Sequence, residues 1–412
     1  MTYDCVVIGA GLAGLTAALR IAESGRRVVA LAKGAGSLHL GGATIDILGY
    51  GPRRVESPRG ELPTFVSENP DHPYARVSSE LITESVEWLK RRAPVLTGTL
   101  AHNFLLPTAV GAIRPSAIVP ASIAAGNLAG GGRLVLAGFS VLKDFYPTLA
   151  AANLSRHPDV TARAVMLDVS PVPGEADVGP LAFARAFEDA EWRKTVLRAL
   201  EGGLDRGELV GFPAVLGLAG AGTVWDVLQD ALGTDVFEIP TLPPSIPGIR
   251  LHDRLGDALR AAGGRVITGA AAVGANKTGN RVESVTVDTG GRTRSIRAES
   301  FVLATGGASA GGVIMDSHRR ITEPVFDLPV AYAMGAGSFS PEYFAHHPVG
   351  RAGVAVDVSL RPVNEAGDAV YDNLHVCGAT LGGAEPWKEK SGNGISLVTG
   401  YAAAESIVHE GK

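Results

Sequence analysis

Gly9-Ala10-Gly11-Leu12-Ala13-Gly14 is the group of residues whose type and spacing point most directly to chemistry. This G-x-G-x-x-G run follows the apolar segment Tyr3-Asp4-Cys5-Val6-Val7-Ile8 without a break and leads into Leu15-Thr16-Ala17-Ala18-Leu19. A strand turning this tightly into a helix leaves backbone N–H groups free at the positive helix end, where a phosphate is stabilised. Gly9 permits the turn, Gly11 lets the backbone approach the phosphate, and Gly14 lets helix and strand pack closely. The expected chemistry is the holding of a phosphorylated ligand.

The elements that must position this turn extend over residues 1–33, with Arg27-Val28-Val29-Ala30-Leu31 as the second strand of a β-α-β unit. A glycine-rich loop, Lys33 to Asp46, begins at the carboxyl end of that strand, where an α/β sheet presents ligands. Beyond Pro52 the pattern changes. Leu81–Arg92 has helical spacing, Arg133–Phe139 alternates like a strand, and Pro180–Leu200 reads as one long amphipathic helix. Pro240, Pro243, Pro244 and Pro247 stiffen the link back and exclude a helix until after Gly248. Leu251–Ala262 then reads as a helix, Arg265–Thr268 as a short strand, and Arg281–Arg297 as antiparallel strands. Phe301-Val302-Leu303-Ala304-Thr305-Gly306-Gly307 is an apolar strand ending in small residues. Leu374–Ala379 is another strand, and Gly392-Asn393-Gly394 opens a last helix.

Bulk properties bound the function. A length of 412 residues suits two domains, and 53 glycines are nearly twice the usual share. With 37 basic and 42 acidic residues and no long run of one sign, nothing suggests a nucleic-acid binder. Cys5 and Cys377 read as reduced core residues and are too few for an iron–sulfur cluster. Leu209–Trp225 is uncharged, but Pro213 and its glycines favour a buried strand and loop over a membrane span. No basic leader precedes the first strand, so the cytoplasm is the expected compartment.

The N-terminal glycine triplet, the central Ala-Thr-Gly-Gly and the C-terminal strand–glycine–helix together resemble the two-domain glutathione reductase/succinate dehydrogenase flavoprotein type. The resemblance implies an α/β fold: a Rossmann-like flavin domain with an inserted α+β cap. We place the flavin domain at 1–55, 250–312 and 366–412, and the cap at 56–249 and 313–365. Three further segments narrow the resemblance: Ser37-Leu38-His39 with the Gly-Ala-Thr-Ile-Asp-Ile-Leu run, Leu242–Leu251, and Ala304–Val313 with Glu323-Pro324. Together they resemble the B-subunit family of the anaerobic glycerol-3-phosphate dehydrogenase. That family implies FMN as cofactor, with an FAD-bearing catalytic subunit and an iron–sulfur subunit as partners. It further implies glycerol 3-phosphate as electron source, quinone as destination, and attachment to the inner face of the membrane through partners. A free-standing fumarate-reductase-like flavin oxidoreductase and a catalytically silent flavin-containing assembly protein stay open as alternatives.

The residues bear on which flavin. An FAD fold normally ends its second strand with an acid that accepts the adenosine ribose hydroxyls, yet here the run is Leu31-Ala32-Lys33. FMN is therefore expected, with FAD as the alternative. The expected cofactor residues are Gly9, Gly11, Gly14, Lys33, Ser37, Gly41, Gly42, Thr305, Gly306, Gly307, Gly378, Gly392, Asn393 and Gly394. Free N–H groups at Gly392–Gly394 would stabilise negative charge on the reduced ring. Alcohol oxidation needs a base, for which His39 and His346, of the His346-His347 pair, are candidates. Arg250 and Arg361 are candidates for gripping a substrate phosphate. No residues fall at metal-ligand spacing, so no metal is expected.

Overall fold

The computed structural model describes residues 3–331, 339–343, 345 and 347–410. His346 and its neighbour Phe344 lie outside the described residues.

The chain opens with β1 (Tyr3–Ile8), α1 (Leu12–Ala22) and β2 (Val28–Ala32). β1 and β2 pair in parallel, from Cys5 opposite Val28 to Ile8 opposite Leu31. Their apolar runs are buried, as a parallel sheet covered on both faces requires. Every residue of α1 except Arg20 is buried. α2 (Ser79–Arg92) starts at Ser78, whose hydroxyl accepts from the Leu81 N–H. It adds Ile82, Val86, Trp88 and Leu89 to the same core.

A second core follows. β3 (Gly132–Phe139), β4 (Val160–Leu167), β5 (Leu209–Pro213) and β6 (Val236–Ile239) form a sheet in the order β4-β3-β5-β6, every pairing parallel. α3 (Ala221–Leu232) crosses over from β5 to β6. The parallel strands of this sheet require crossovers, which the intervening helices supply. The long helix expected over Pro180–Leu200 is two, Pro180–Phe187 and Ala190–Leu200. The Asp189 carboxylate accepts from the Glu191 N–H and so starts a new helix. The second core runs from Leu128 to Ile246, whereas Leu62, Tyr74, Ile118, Val325, Phe326 and Val356 join the first.

The chain returns through α4 (Ile246–Ala261), earlier than expected. The Ser245 hydroxyl accepts from the Gly248 N–H, and Pro247 sits in the first turn, where a missing N–H costs nothing. β7 (Arg265–Thr268) adds in parallel to β2, and β8 (Ala271–Thr278) and β9 (Arg281–Asp288) form an antiparallel ribbon. β10 (Thr293–Leu303) belongs to both arrangements: its first half pairs antiparallel with β9, its second half parallel with β1. β11 (Leu374–Val376) pairs parallel with β10, and α5 (Gly392–Glu410) closes the fold. A Cβ at Gly400 of α5 would fall 2.5 Å from the Ala13 carbonyl oxygen, so α1 and α5 touch at backbone distance. Cys5 and Cys377 are buried and unpaired, and burial pushes both thiols up. Among the described residues no helix is long and apolar enough to cross a membrane.

Candidate cofactor site

The turn between β1 and α1 is built from the missing side chains of its glycines. Gly9 has φ +113°, and a Cβ there would lie 2.2 Å from the Ala304 carbonyl oxygen at the end of β10. A Cβ on Gly14 would lie 2.0 Å from the Gly9 carbonyl oxygen. Gly11 differs: the nearest atom a Cβ would meet is Ser37 Oγ, 4.0 Å away. Gly11 caps α1, no side chain accepts from the first-turn N–H groups, and that turn carries no acid. Helix geometry leaves these donors without intrahelical partners. An anion bound here would meet free N–H groups, the positive helix end and the Ser37 hydroxyl together.

The second wall comes from the loops after β10 and β11. Gly306 has φ +81°, its carbonyl accepts from Thr380 Oγ1 at 3.1 Å, and Gly307 lies against Ala379. Gly378 has φ +72°, donates its N–H to Thr399 Oγ1 at 2.9 Å, and packs on Ala13. Thr305 Oγ1 is buried with no hydrogen-bond partner. The uncapped α1 start, with the buried and unpartnered Thr305 hydroxyl in the loop after β10, fits a bound phosphorylated ligand. At the rim, Ala32 is buried while Lys33 to Ser37 are exposed.

The third wall is the segment from Gly41 to Ile47. Nothing would meet a Cβ on Gly41, but one on Gly42 would strike Pro240 at 2.7 Å. Asp46 accepts from the Arg114 guanidinium at 3.2 Å and from the Ser116 hydroxyl. Thr44 Oγ1 accepts from the same guanidinium. Asn393 Nδ2 donates to the Thr44 carbonyl at 2.8 Å, and the Tyr74 hydroxyl to the Ile47 carbonyl at 2.8 Å. The Gly394 N–H, expected to be free for the ring, donates to the Asp46 carbonyl at 3.2 Å. A Cβ on Gly394 would lie 2.3 Å from the Tyr74 hydroxyl, so this glycine serves helix packing.

The turn before α5 is tied down by a buried carboxylate. Glu389 Oε2 accepts from Ser391 Oγ at 2.7 Å and meets His72 Nε2 at 3.1 Å, while Oε1 accepts from the Glu385 N–H at 2.7 Å. Because His72 Nδ1 accepts from the Tyr74 N–H, Nε2 carries the proton given to Glu389. Burial acts to raise the Glu389 pKa, but these hydrogen bonds and His72 outweigh it and hold it below the ordinary value.

The residues expected to do chemistry have other partners. The His39 ring packs edge-on against His252 of α4, centroids 4.7 Å apart, and its Nε2 is buried without a hydrogen-bond partner. Burial and the neighbouring His252 depress its pKa. Arg250 is committed elsewhere: its guanidinium reaches Glu238 of β6 at 2.7 and 3.0 Å and the Gly217 carbonyl at 2.6 and 2.9 Å. Arg361 is paired with Asp357, four residues back. Both arginines therefore hold local structure where substrate contact was expected. Asp46, Arg114, His72 and Glu389 were missed, because their contacts join segments 68 to 317 residues apart. The one local signal was Glu389, two residues before the Ser391-Gly392-Asn393-Gly394 turn.

The chain matches the FAD binding domain family over residues 4–395. It is 36% identical over 431 residues to the probable anaerobic glycerol-3-phosphate dehydrogenase B-subunit of Halobacterium salinarum, with 99% of each chain covered. The anaerobic glycerol-3-phosphate dehydrogenase B-subunit of Pectobacterium atrosepticum is 33% identical, with 100% of each chain covered. Among solved structures, 3-ketosteroid delta1-dehydrogenase from Sterolibacterium denitrificans aligns with TM-score 0.48 and 12% identity over 99% of this chain and 100% of that one. An open flavocytochrome c3 fumarate reductase aligns with TM-score 0.44 and 11% identity over 99% and 78%.

Proposed function

The chain belongs to the FAD binding domain family and, within it, to the B-subunits of anaerobic glycerol-3-phosphate dehydrogenase; from that premise we propose that it relays electrons taken from glycerol 3-phosphate. It is the flavin subunit of a multi-subunit dehydrogenase. An FAD-bearing catalytic partner performs the oxidation to dihydroxyacetone phosphate, and an iron–sulfur partner passes the electrons toward quinone at the inner face of the membrane. The observation that carries the reading is the uncapped start of α1, with Gly11 and Ser37 facing open space and Thr305 Oγ1 unpartnered. A flavin held there supplies acceptance of an electron pair and its release one electron at a time.

The residues of this chain act as binder and frame. The α1 N–H groups and Ser37 hold the phosphate, and Thr305 donates the hydrogen bond that burial otherwise denies it. Glu389, His72, Asp46 and Arg114 keep the start of α5 and the Gly41–Ile47 segment in register with each other, as the frame against which the ring would lie. We assign FMN in preference to FAD, because β2 ends in buried Ala32 with no acid following for the adenosine ribose. The relay role is favoured over direct oxidation because the guanidiniums of Arg250 and Arg361 already sit on carboxylates.

Two measurements test this. Acid release of the cofactor followed by its mass identifies FMN, FAD or neither, and recovery of FAD alone refutes the mononucleotide assignment. Anaerobic addition of glycerol 3-phosphate to the isolated chain should leave the flavin oxidised, with bleaching only after the FAD-bearing catalytic partner is added. Rapid bleaching of the chain alone refutes the relay.

A further inference from the structure

The fold brings His39 against a consecutive pair, His252 and Asp253, from a segment distant in the sequence. His39 lies in a short 3-10 turn, Ser37–Leu40, and His252 and Asp253 lie on α4. One ligand-capable atom from each falls within 4.8 Å of the others. The two segments are already joined by the backbone, since the Ser245 N–H donates to the His39 carbonyl at 2.8 Å and Gly248 packs on the Leu38 carbonyl. His39 Nε2 is buried yet has no hydrogen-bond partner, a condition that native structures rarely leave without a reason. His252 is half-covered and Asp253 exposed, so the cluster opens to solvent on one side.

We propose that His39, His252 and Asp253 form a divalent transition-metal site that staples the loop after β2 to α4. Two imidazoles and a carboxylate suit zinc, cobalt or iron(II), and three protein ligands leave room for water. Metal–ligand bonds of about 2.0–2.2 Å place ligand atoms roughly 3.4 Å apart in a tetrahedron. The widest gap must therefore close by about 1.4 Å when a metal binds. The site is independent of the flavin reading, because none of its three side chains is needed at the phosphate-binding turn.

The test uses the full-length protein with its flavin, stripped of metal by a chelator and titrated with Co2+ and then Zn2+. The expected result is one equivalent of saturable Co2+ binding with visible ligand-field absorbance, displaced by Zn2+, and a rise in thermal midpoint with either ion. His252→Ala and the surface change Asp253→Asn should each weaken Co2+ at least tenfold and abolish the thermal shift, with flavin content retained. Failure to saturate at one equivalent overturns the proposal. Binding unchanged in both variants also overturns it, since the metal then sits elsewhere.

Discussion

Replacing Arg250 by alanine separates a structural arginine from a substrate-gripping one. In the native protein Glu238 is 1% exposed and Arg250 15%. The guanidinium makes two bonds to that carboxylate and two to the Gly217 carbonyl. After Arg250→Ala the carboxylate keeps only Ser122 Oγ and the Leu216 N–H and has no cation. Breaking a buried pair from one side costs about 3–5 kcal/mol. With a urea slope of about 2–3 kcal/mol per molar, the unfolding midpoint of the inserted unit should fall by roughly 1–2 M. Removing both ions, as in Glu238→Leu with Arg250→Met, should recover most of that loss, because the desolvated charge disappears with its partner. The pH dependence has a definite sign. Burial raises the Glu238 pKa, but Arg250, Ser122 and the Leu216 N–H outweigh it and hold it below the ordinary 4.5. Its contribution is complete above about that pH and is lost as pH falls through the folded value. In Arg250→Ala burial prevails, the pKa rises, and the deficit should shrink between pH 7 and pH 5. The assay is tryptophan fluorescence against urea at several pH values. A single mutant within about 0.3 M of wild type, or a double mutant as weak as the single, would refute the reasoning.

The other expectations concern the cofactor site. Gly11→Val should leave the thermal midpoint of the flavin-free protein nearly unchanged while removing most bound flavin, because its side chain enters open space where the phosphate belongs. Gly9→Ala should instead lower the yield of folded protein, since φ +113° and a 2.2 Å approach to Ala304 are both intolerant of a Cβ. Thr305→Val should weaken flavin binding by about 2- to 10-fold, one neutral hydrogen bond, with the flavin-free protein no less stable by calorimetry. Glu389→Gln should cost about 1.5–3 kcal/mol at pH 7. Because the folded pKa of Glu389 is depressed, native stability should decline as pH falls below about 4.5, and this variant should lack that share of the acid limb.

Much of the first unit is legible in the sequence because its signals are local. An apolar run, a glycine turn and a helix in direct succession specify β1, α1 and β2, and the same grammar exposes the end of β10 and the start of α5. What failed to show was set by contacts distant in sequence. Arg250 reads as a free cation until Glu238 is known to lie under it, and His39 reads as a base until α4 brings His252 alongside. Gly394 looked like a donor to a ligand, but the segment from Asp46 to Ile47 occupies its open side. In the inserted unit, strand direction was hidden because buried parallel strands have no alternation to reveal a face. Pro247 misled for a different reason, since proline terminates a helix from within but is welcome in its first turn. Asp189 carried a readable cap signal that the periodicity of its neighbours masked.

The point where the inserted unit leaves its host also explains how such a chain could have been assembled. A Cβ on Gly126 would fall 2.5 Å from the Phe237 ring, so the outgoing and incoming strands of chain stand side by side at one doorway. An independent parallel sheet can be spliced into a loop at such a doorway without stretching either framework, because the ends to be joined already meet. The Glu238–Arg250 lock then reads as the latch that fixes the guest's orientation once it was admitted.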